Sequence, residues 1–435
     1  MKMNKLTAAI LISMLLGILV GHLVRSLAPD AAMITSFTAN ITILTDIFLR
    51  LIKMIIAPLV FTTLTVGIAK MGDSKTVGRI GFKTLGWFMM ASLFSLSLGL
   101  VMVTLLQPGV GLELSVPETS APTGIAAGAI TLKDFVTHAI PKSVVEAMAN
   151  NEILQIVVFS LFFGLAAASL GERAKPVVKL LASTADIMLK VTGFVMMFAP
   201  LAVFAAIAAM VAKEGVGILS TYGTFMVQFY VSIGMLWLGL IAMGAFFLRG
   251  RILHLLRMIR EPALLAFSTA SSEAAYPKTL ERLEHFGCSK RIASFVLPMG
   301  YSFNLDGSMM YCTFATLFIA QAYGIDLSFG QQVTMLLLLM VTSKGMAGVP
   351  RASLVVIAAT LSQFHIPEAG ILLLLGIDHF LDMGRSATNV LGNAIAASVV
   401  AQSEQALGAE LSEEEILALH AAPPLANVES APAQA

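Results

Sequence analysis

Between residues 378 and 393, polar side chains recur among leucines and alanines at helical spacing: Asp378, Asp382, Arg385, Asn389 and Asn393. At about 100° per residue they occupy a sector of roughly 80° on one helical face. A guanidinium does not deprotonate in a protein and offers a planar fork matched to a carboxylate, while Asp382, one turn earlier, can hold an ammonium. Together they specify a zwitterion that carries an extra carboxylate. Asn389 and free backbone N–H groups at nearby chain breaks can take a second carboxylate, so an acidic amino acid satisfies all three points. The structural alternative is a polar network that glues helices together. Five groups in register favour binding, because each ionisable group at the centre of a bilayer costs about 2.5 to 3.5 kcal/mol even on the lenient insertion scale.

A bilayer is the right reference, since 57% of the 435 residues are hydrophobic and only 12% are charged. The uncharged runs Leu6 to Val24, Thr84 to Leu112, Val191 to Ala212 and Gly215 to Leu248 are near or above the roughly 20 residues a spanning helix needs. The expectation is an all-α polytopic membrane protein whose first run is a retained helix rather than a secretory signal. A net charge of +1 supplies no basic field for nucleic acid. Cys288 and Cys312 lack the spacing of a metal or redox motif, and the 25 methionines read as packing, so no transition metal and no cofactor are expected. Lys70 to Lys83, Arg173 to Lys179, Arg249 to Arg260 and Lys278 to Arg291 are rich in Lys and Arg, which puts these loops and both termini in the cytoplasm. The stretch 107–141, rich in Gly, Pro, Thr and Ser, reads as an external loop.

The second half has shorter apolar runs with polar interruptions. "FSTASSEAAYPKTL" (267–280) enters and leaves on the cytoplasmic side, and "VTSKGMAGVPRASL" (341–354) does the same from outside, broken by Gly345, Gly348 and Pro350. Both read as re-entrant hairpins, and each is followed by a polar helix, which makes an inverted repeat. Irregular backbone survives at membrane depth only beside protein or a water-filled cavity, so the two tips point to a midplane site. From about residue 403 the chain turns soluble; Ser412 and Glu415 form a capping-box pattern ahead of a Pro- and Ala-rich end.

"NLDGS" (304–308), "AGVP" (347–350) and "DMGRSATNVLGN" (382–393) resemble the dicarboxylate/amino acid:cation symporters, most closely the bacterial proton-coupled glutamate/aspartate branch. The resemblance implies a homotrimer in a bacterial inner membrane, with eight spanning helices and two hairpins per protomer. It implies scaffold helices in 1–70 and 143–215. A third helix and external loop fall in 71–142, a sixth helix in 216–258, a transport core in 259–402 that moves like an elevator, and a cytoplasmic tail in 403–435. Carried over by residue, Arg385 would bind the side-chain carboxylate of the substrate with Ser308 nearby. Asp382 and Ser386 would take the amino group, and Asn389 with the Ser272 backbone the α-carboxylate. Val349 would line the same site, and the hairpin holding Gly345, Gly348, Pro350 and Arg351 would be the outer gate. Arg351 either meets a second substrate carboxylate or snorkels outward, the latter being preferred.

The coupling ion is where the sequence departs from the sodium-coupled pattern. Asn393 stands in place of an aspartate, and Phe88 and Ala91 in place of a tyrosine and a threonine. An asparagine offers an oxygen without the charge, so protons are the first choice. Asn304, Asp306 and backbone carbonyls leave room for one weakly held sodium ion. Glu273 and Asp306 are the proton-carrier candidates, with Asp378 a further coupling candidate; Glu273 is alternatively a cap for its hairpin tip. Cys312 follows Tyr311 where animal relatives have a glutamate, which closes that proton route. The competing readings are a C4-dicarboxylate symporter of the same fold, disfavoured because Asp382 would be left unpaired, and an anion channel. A membrane hydrolase is set aside because no triad or metal spacing is present.

Overall fold

The computed structural model describes residues 5–28, 30–69, 74–110, 140–215, 222–343 and 352–409. The first half is built from long helices: α1 (Lys5–Leu27), α2 (Ala31–Ala69) and α3 (Ser74–Leu106), then, after the short α4 (Val144–Ala149), α5 (Ile153–Leu170), α6 (Lys175–Met196), α7 (Ala199–Glu214) and α8 (Gly223–Leu248). Five stretches among the described residues are long and apolar enough to cross a membrane. Their outward faces carry large bare side chains such as Leu15, Phe82 and Phe246, as expected where the surrounding solvent is lipid. The uncharged run 191–212, expected as one span, is instead divided: α6 stops at Met196 and α7 begins at Ala199 with a proline in its first turn. Pro200 lacks the N–H that a continuing helix would need, and a first turn is where that absence costs nothing.

The second half is shorter-grained. α9 (Arg251–Thr269) runs to a turn at Ala270, followed by a one-turn 3-10 helix (Glu273–Ala275) and α10 (Tyr276–His285). The two arms contact each other, and Glu261 on α9 is ion-paired with Arg282 on α10, so the expected first hairpin is present. Ala270 sits at φ 48°, a left-handed conformation that costs a residue with a Cβ. α11 (Lys290–Phe303) and α12 (Asp306–Ala322) are one helix direction broken at Asn304 and Leu305. α13 (Phe329–Thr342) and α14 (Ala352–Gln363) flank the second hairpin and touch each other. Its tip, with Gly345, Gly348, Val349, Pro350 and Arg351, lies outside the described residues. So do most of the 107–141 loop and the tail with Ser412 and Glu415. α15 (Leu372–Leu375) leads into α16 (Asp378–Ser403).

Two packing groups emerge. α1 lies on α7, and α2 on α5, α6 and α7, whereas α16 is surrounded by α8, α9, α11 and α12, with α12 also on α3. α2 and α11 join the groups. α16 is buried without interruption from Met383 to Ala401, so every polar group on that length needs a partner inside the protein. Close approach requires glycine at the crossing: a Cβ on Gly307 would stand 2.6 Å from the carbonyl oxygen of Arg385. The helix therefore brings its polar stripe against the break between α11 and α12.

The C-terminal end of α16 is clamped. Glu404 accepts hydrogen bonds from Arg79 Nη2 at 2.7 Å and from Lys83 Nζ, tying α16 to α3. Beyond it, Gly408 N donates to Gly287 O at 2.9 Å, and Arg251 Nη2 bridges Phe286 O and Gly408 O at 3.0 and 2.8 Å. The chain thus closes over the base of the first hairpin. The hydrogen bonds from Arg79, then those from Lys83, hold the Glu404 carboxyl down at about 2. A carboxyl lowered on folding stabilises above its unfolded value and ceases to as the pH falls through the folded one. Glu404→Gln should therefore destabilise the protein at neutral pH by no more than about 1 kcal/mol, because both cations are partly in water, and so lower its melting temperature. The gap from the parent protein should close as the pH falls from about 5 toward 2; a gap that stays constant in melting scans would refute the clamp.

Candidate functional site

Arg385 is 1% exposed, among the largest fully buried side chains in the protein. Its Nη2 donates to Asp378 Oδ1 at 3.0 Å and lies 3.1 Å from Asp382 Oδ1, two turns and one turn before it on the same helix. The guanidinium plane rests on the Tyr311 ring, with Cζ 4.0 Å from the ring centroid, and the Tyr311 hydroxyl donates to Asp378 Oδ1 at 3.2 Å. A desolvated cation needs this sort of surround, namely opposite charge and an aromatic face. Yet Nε and Nη1 have no hydrogen-bond partner. The two carboxylates differ: the Asp378 side chain is 5% exposed and the Asp382 side chain 35%. Asp378 is a fixed counter-ion, and Asp382 faces open space.

That space is a cavity of about 560 Å³, several times what a few ordered waters need. It borders Arg385, Asp382, Ser386, Asn389, Ser308 and Ser272, the expected substrate-binding residues that fall among the described ones. Glu273 and Asp378 also border it, and its far wall is a polar stripe on α2 with Thr38, Thr42, Asp46 and Lys53. The broken helix supplies the floor. The first turn of α12 leaves orphan N–H groups, and Gly307 N donates to Asn389 Oδ1 at 3.0 Å while Asn389 Nδ2 donates to Ser308 Oγ at 3.3 Å. Asn389 thus caps α12 from another helix. One of its amide hydrogens remains for a ligand.

The remaining coupling candidates form a second cluster in the interior. Asp306, Asn304 and Asn393 are each 0% exposed. Ser95 Oγ donates to Asp306 Oδ1 at 3.0 Å, and Asn304 Nδ2 donates to Asp306 Oδ2 at 3.0 Å and to Asn393 Oδ1 at 3.2 Å. Asn304 Oδ1 has no hydrogen-bond partner. Phe88 and Ala91 of α3 are buried and apolar and supply no oxygen for a sodium ion; the α3 side-chain oxygen at Asp306 is the Ser95 hydroxyl.

Three aromatic residues complete the site, and the sequence reading gave none of them a role in it. Tyr311 lies three residues beyond Ser308, so it shares its helical face; that spacing was a usable signal. Tyr230 of α8 donates from its hydroxyl to Phe380 O at 2.6 Å, and Trp237 Nε1 donates to Thr388 Oγ1 at 2.8 Å. These two pin α16 from behind and are visible only once α8 is known to pack there.

The sequence has counterparts among known proteins. The profile of the sodium:dicarboxylate symporter family matches residues 6–403. A proton/sodium-glutamate symport protein of Bacillus caldotenax is 40% identical over 403 residues, covering 91% of this chain and 93% of the relative. A C4-dicarboxylate transport protein of Deinococcus deserti is 40% identical over 410 residues, covering 93% and 90%. A proton/glutamate-aspartate symporter of Bacillus subtilis is 37% identical over 408 residues, covering 93% and 96%. With nearly its whole length matched, this integral membrane protein is a transporter rather than an enzyme, and the chain belongs to the sodium:dicarboxylate symporter family.

Proposed function

We propose that the protein takes up acidic amino acids, L-glutamate and L-aspartate, by symport with protons. The observation that carries the reading is a buried guanidinium with Nε and Nη1 unpaired beside a cavity that Asp382 also borders. On substrate entry Asp382 exchanges Arg385 for the substrate ammonium, and the unpaired donors of Arg385 take the side-chain carboxylate. Ser386 supports the ammonium and Ser308 the carboxylate. The α-carboxylate lies against Asn389 and the tip N–H groups near Ser272. The relatives named for glutamate or aspartate support this substrate class. Those named for C4-dicarboxylates support the second reading, in which Asp382 would need another partner.

Charge supports the coupling. Asp378, Asp382 and Arg385 sum to one negative charge, and an acidic amino acid adds another. Two uncompensated negative charges in a closed, low-dielectric cavity are prohibitive, so a cation must travel with the substrate. Glu273, half-buried at the hairpin tip on the cavity wall, is the proposed proton carrier, with Asp306 as the alternative and one sodium ion at Asn304 and Asp306 as the competing scheme. The carrier works as a homotrimer of the family's elevator arrangement. In it the group around α16 moves past the group around α2, and the second hairpin acts as the outer gate. Apolar spanning helices and bacterial relatives support a location in the bacterial plasma membrane.

Uptake of labelled aspartate, glutamate and succinate into proteoliposomes, under an imposed pH or sodium gradient, tests substrate and coupling together. The expected result is uptake of both amino acids driven by the pH gradient, with succinate far behind; sodium dependence without pH dependence would sink proton symport. Arg385→Lys keeps the charge but loses the fork, so aspartate affinity should fall about ten- to a hundredfold, the worth of one or two charge-assisted hydrogen bonds. Unchanged affinity in a binding titration would remove the arginine from the site. Glu273→Gln should abolish uptake driven by a pH gradient while preserving exchange of internal for external aspartate. Retained proton-driven uptake would clear Glu273 and turn attention to Asp306.

A further inference from the structure

His379 occupies the first turn of α16, is exposed, and borders the same cavity as Asp382. Three residues separate them, so the two side chains stand on one helical face with Cβ atoms about 5–6 Å apart. Histidine is the side chain whose charge ordinarily changes between pH 5 and 8. An imidazolium at this position supplies what a substrate ammonium supplies, a cation next to the Asp382 carboxylate.

We propose that His379 makes substrate choice depend on pH. With His379 neutral, Asp382 demands an amino group and the site selects acidic amino acids. With His379 protonated, Asp382 is already paired, and the cavity accepts a C4-dicarboxylate whose two carboxylates go to Arg385 and to Asn389 with the hairpin tip. The inference rests on the reading of Asp382 as the ammonium partner.

The other charged groups around the cavity do not substitute for this one. Asp378 is committed to Arg385 at 3.0 Å. Lys53 and Asp46 stand on α2, Lys213 on α7 and Glu273 at the hairpin tip, all on the cavity wall. All four stand on other elements than α16, so none shares the helical face of Asp382 as His379 does. The N-terminal end of the α16 dipole opposes an imidazolium. The Asp382 carboxylate outweighs it at closer range.

Equilibrium binding of L-aspartate and of fumarate to the purified full-length protein decides the matter, because binding is independent of the driving gradient. Fumarate is chosen because its carboxyls remain ionised from about pH 8 to about pH 6, where histidine titrates. The fumarate-to-aspartate affinity ratio should rise about fivefold over that interval, the worth of one partly exposed ion pair. His379→Gln should flatten the dependence, and His379→Arg should hold the ratio high at both pH values. A ratio that does not change with pH, a rise that survives in His379→Gln, or fumarate that fails to bind at either pH overturns the proposal. If the parent protein binds neither ligand, the acidic-substrate reading itself fails. If aspartate binds and the ratio is flat, only the role of His379 is lost.

Discussion

A guanidinium held out of water inside a membrane protein sets the terms for everything around it. Left alone, such a charge costs several kcal/mol, and it persists because Asp378, Asp382 and the Tyr311 ring surround it. The arrangement is unequal by design of the sequence. The Asp378 side chain is 5% exposed beside the arginine, whereas the Asp382 side chain is 35% exposed on the cavity wall. A site that were fully paired would be inert glue, and one that were unpaired would not fold. Here three of the five guanidinium N–H groups, those on Nε and Nη1, are left over, and they give an incoming carboxylate something to gain.

The backbone around this cation follows the same logic of displaced satisfaction. Breaking the helix at Asn304 and Leu305 frees N–H groups at membrane depth, which lipid would not tolerate. α16 answers with Asn389, whose carbonyl accepts from Gly307. The glycine is what lets the two helices come close enough for that bond, since any side chain there would collide with the Arg385 carbonyl. Thus the cap, the close crossing and the buried cation are one construction. Changing the crossing distance would move the arginine and the cap together.

The stripe from Asp378 to Asn393 and the fold-back of α9 on α10 were legible in the sequence, because each is a local pattern, a period or a polar run between apolar arms; the break at Asn304 and Leu305 was not, since 300–311 reads as one polar helix. What stayed hidden depends on which helices meet. Tyr230 and Trp237 are ordinary apolar-helix aromatics until α8 is laid against α16, where their polar atoms find Phe380 O and Thr388. The run 191–212 looked continuous because hydropathy cannot see that Pro200 starts a new helix. Asp378 read as one more member of a stripe. Its fixed pairing with Arg385 follows from the α12 tyrosine and from depth of burial, neither of which is a property of its own segment.

The two polar clusters also explain why the coupling ion should differ from the substrate in where it binds. Asp306 is enclosed by Ser95 and Asn304, with Asn393 linked through the same amide, and no side chain of this cluster borders the cavity. A fully hydrated ion has no way to bind there without surrendering its water to oxygens, and Phe88 and Ala91 supply none. A proton needs only a carboxylate and a neighbour to hold it. Asn393 brings an amide oxygen without the negative charge that a metal ion would require. Asn304 donates to that oxygen, while Asn304 Oδ1 and Asn393 Nδ2 have no hydrogen-bond partner. The interior thus surrounds a single carboxylate, Asp306, with amides and a hydroxyl.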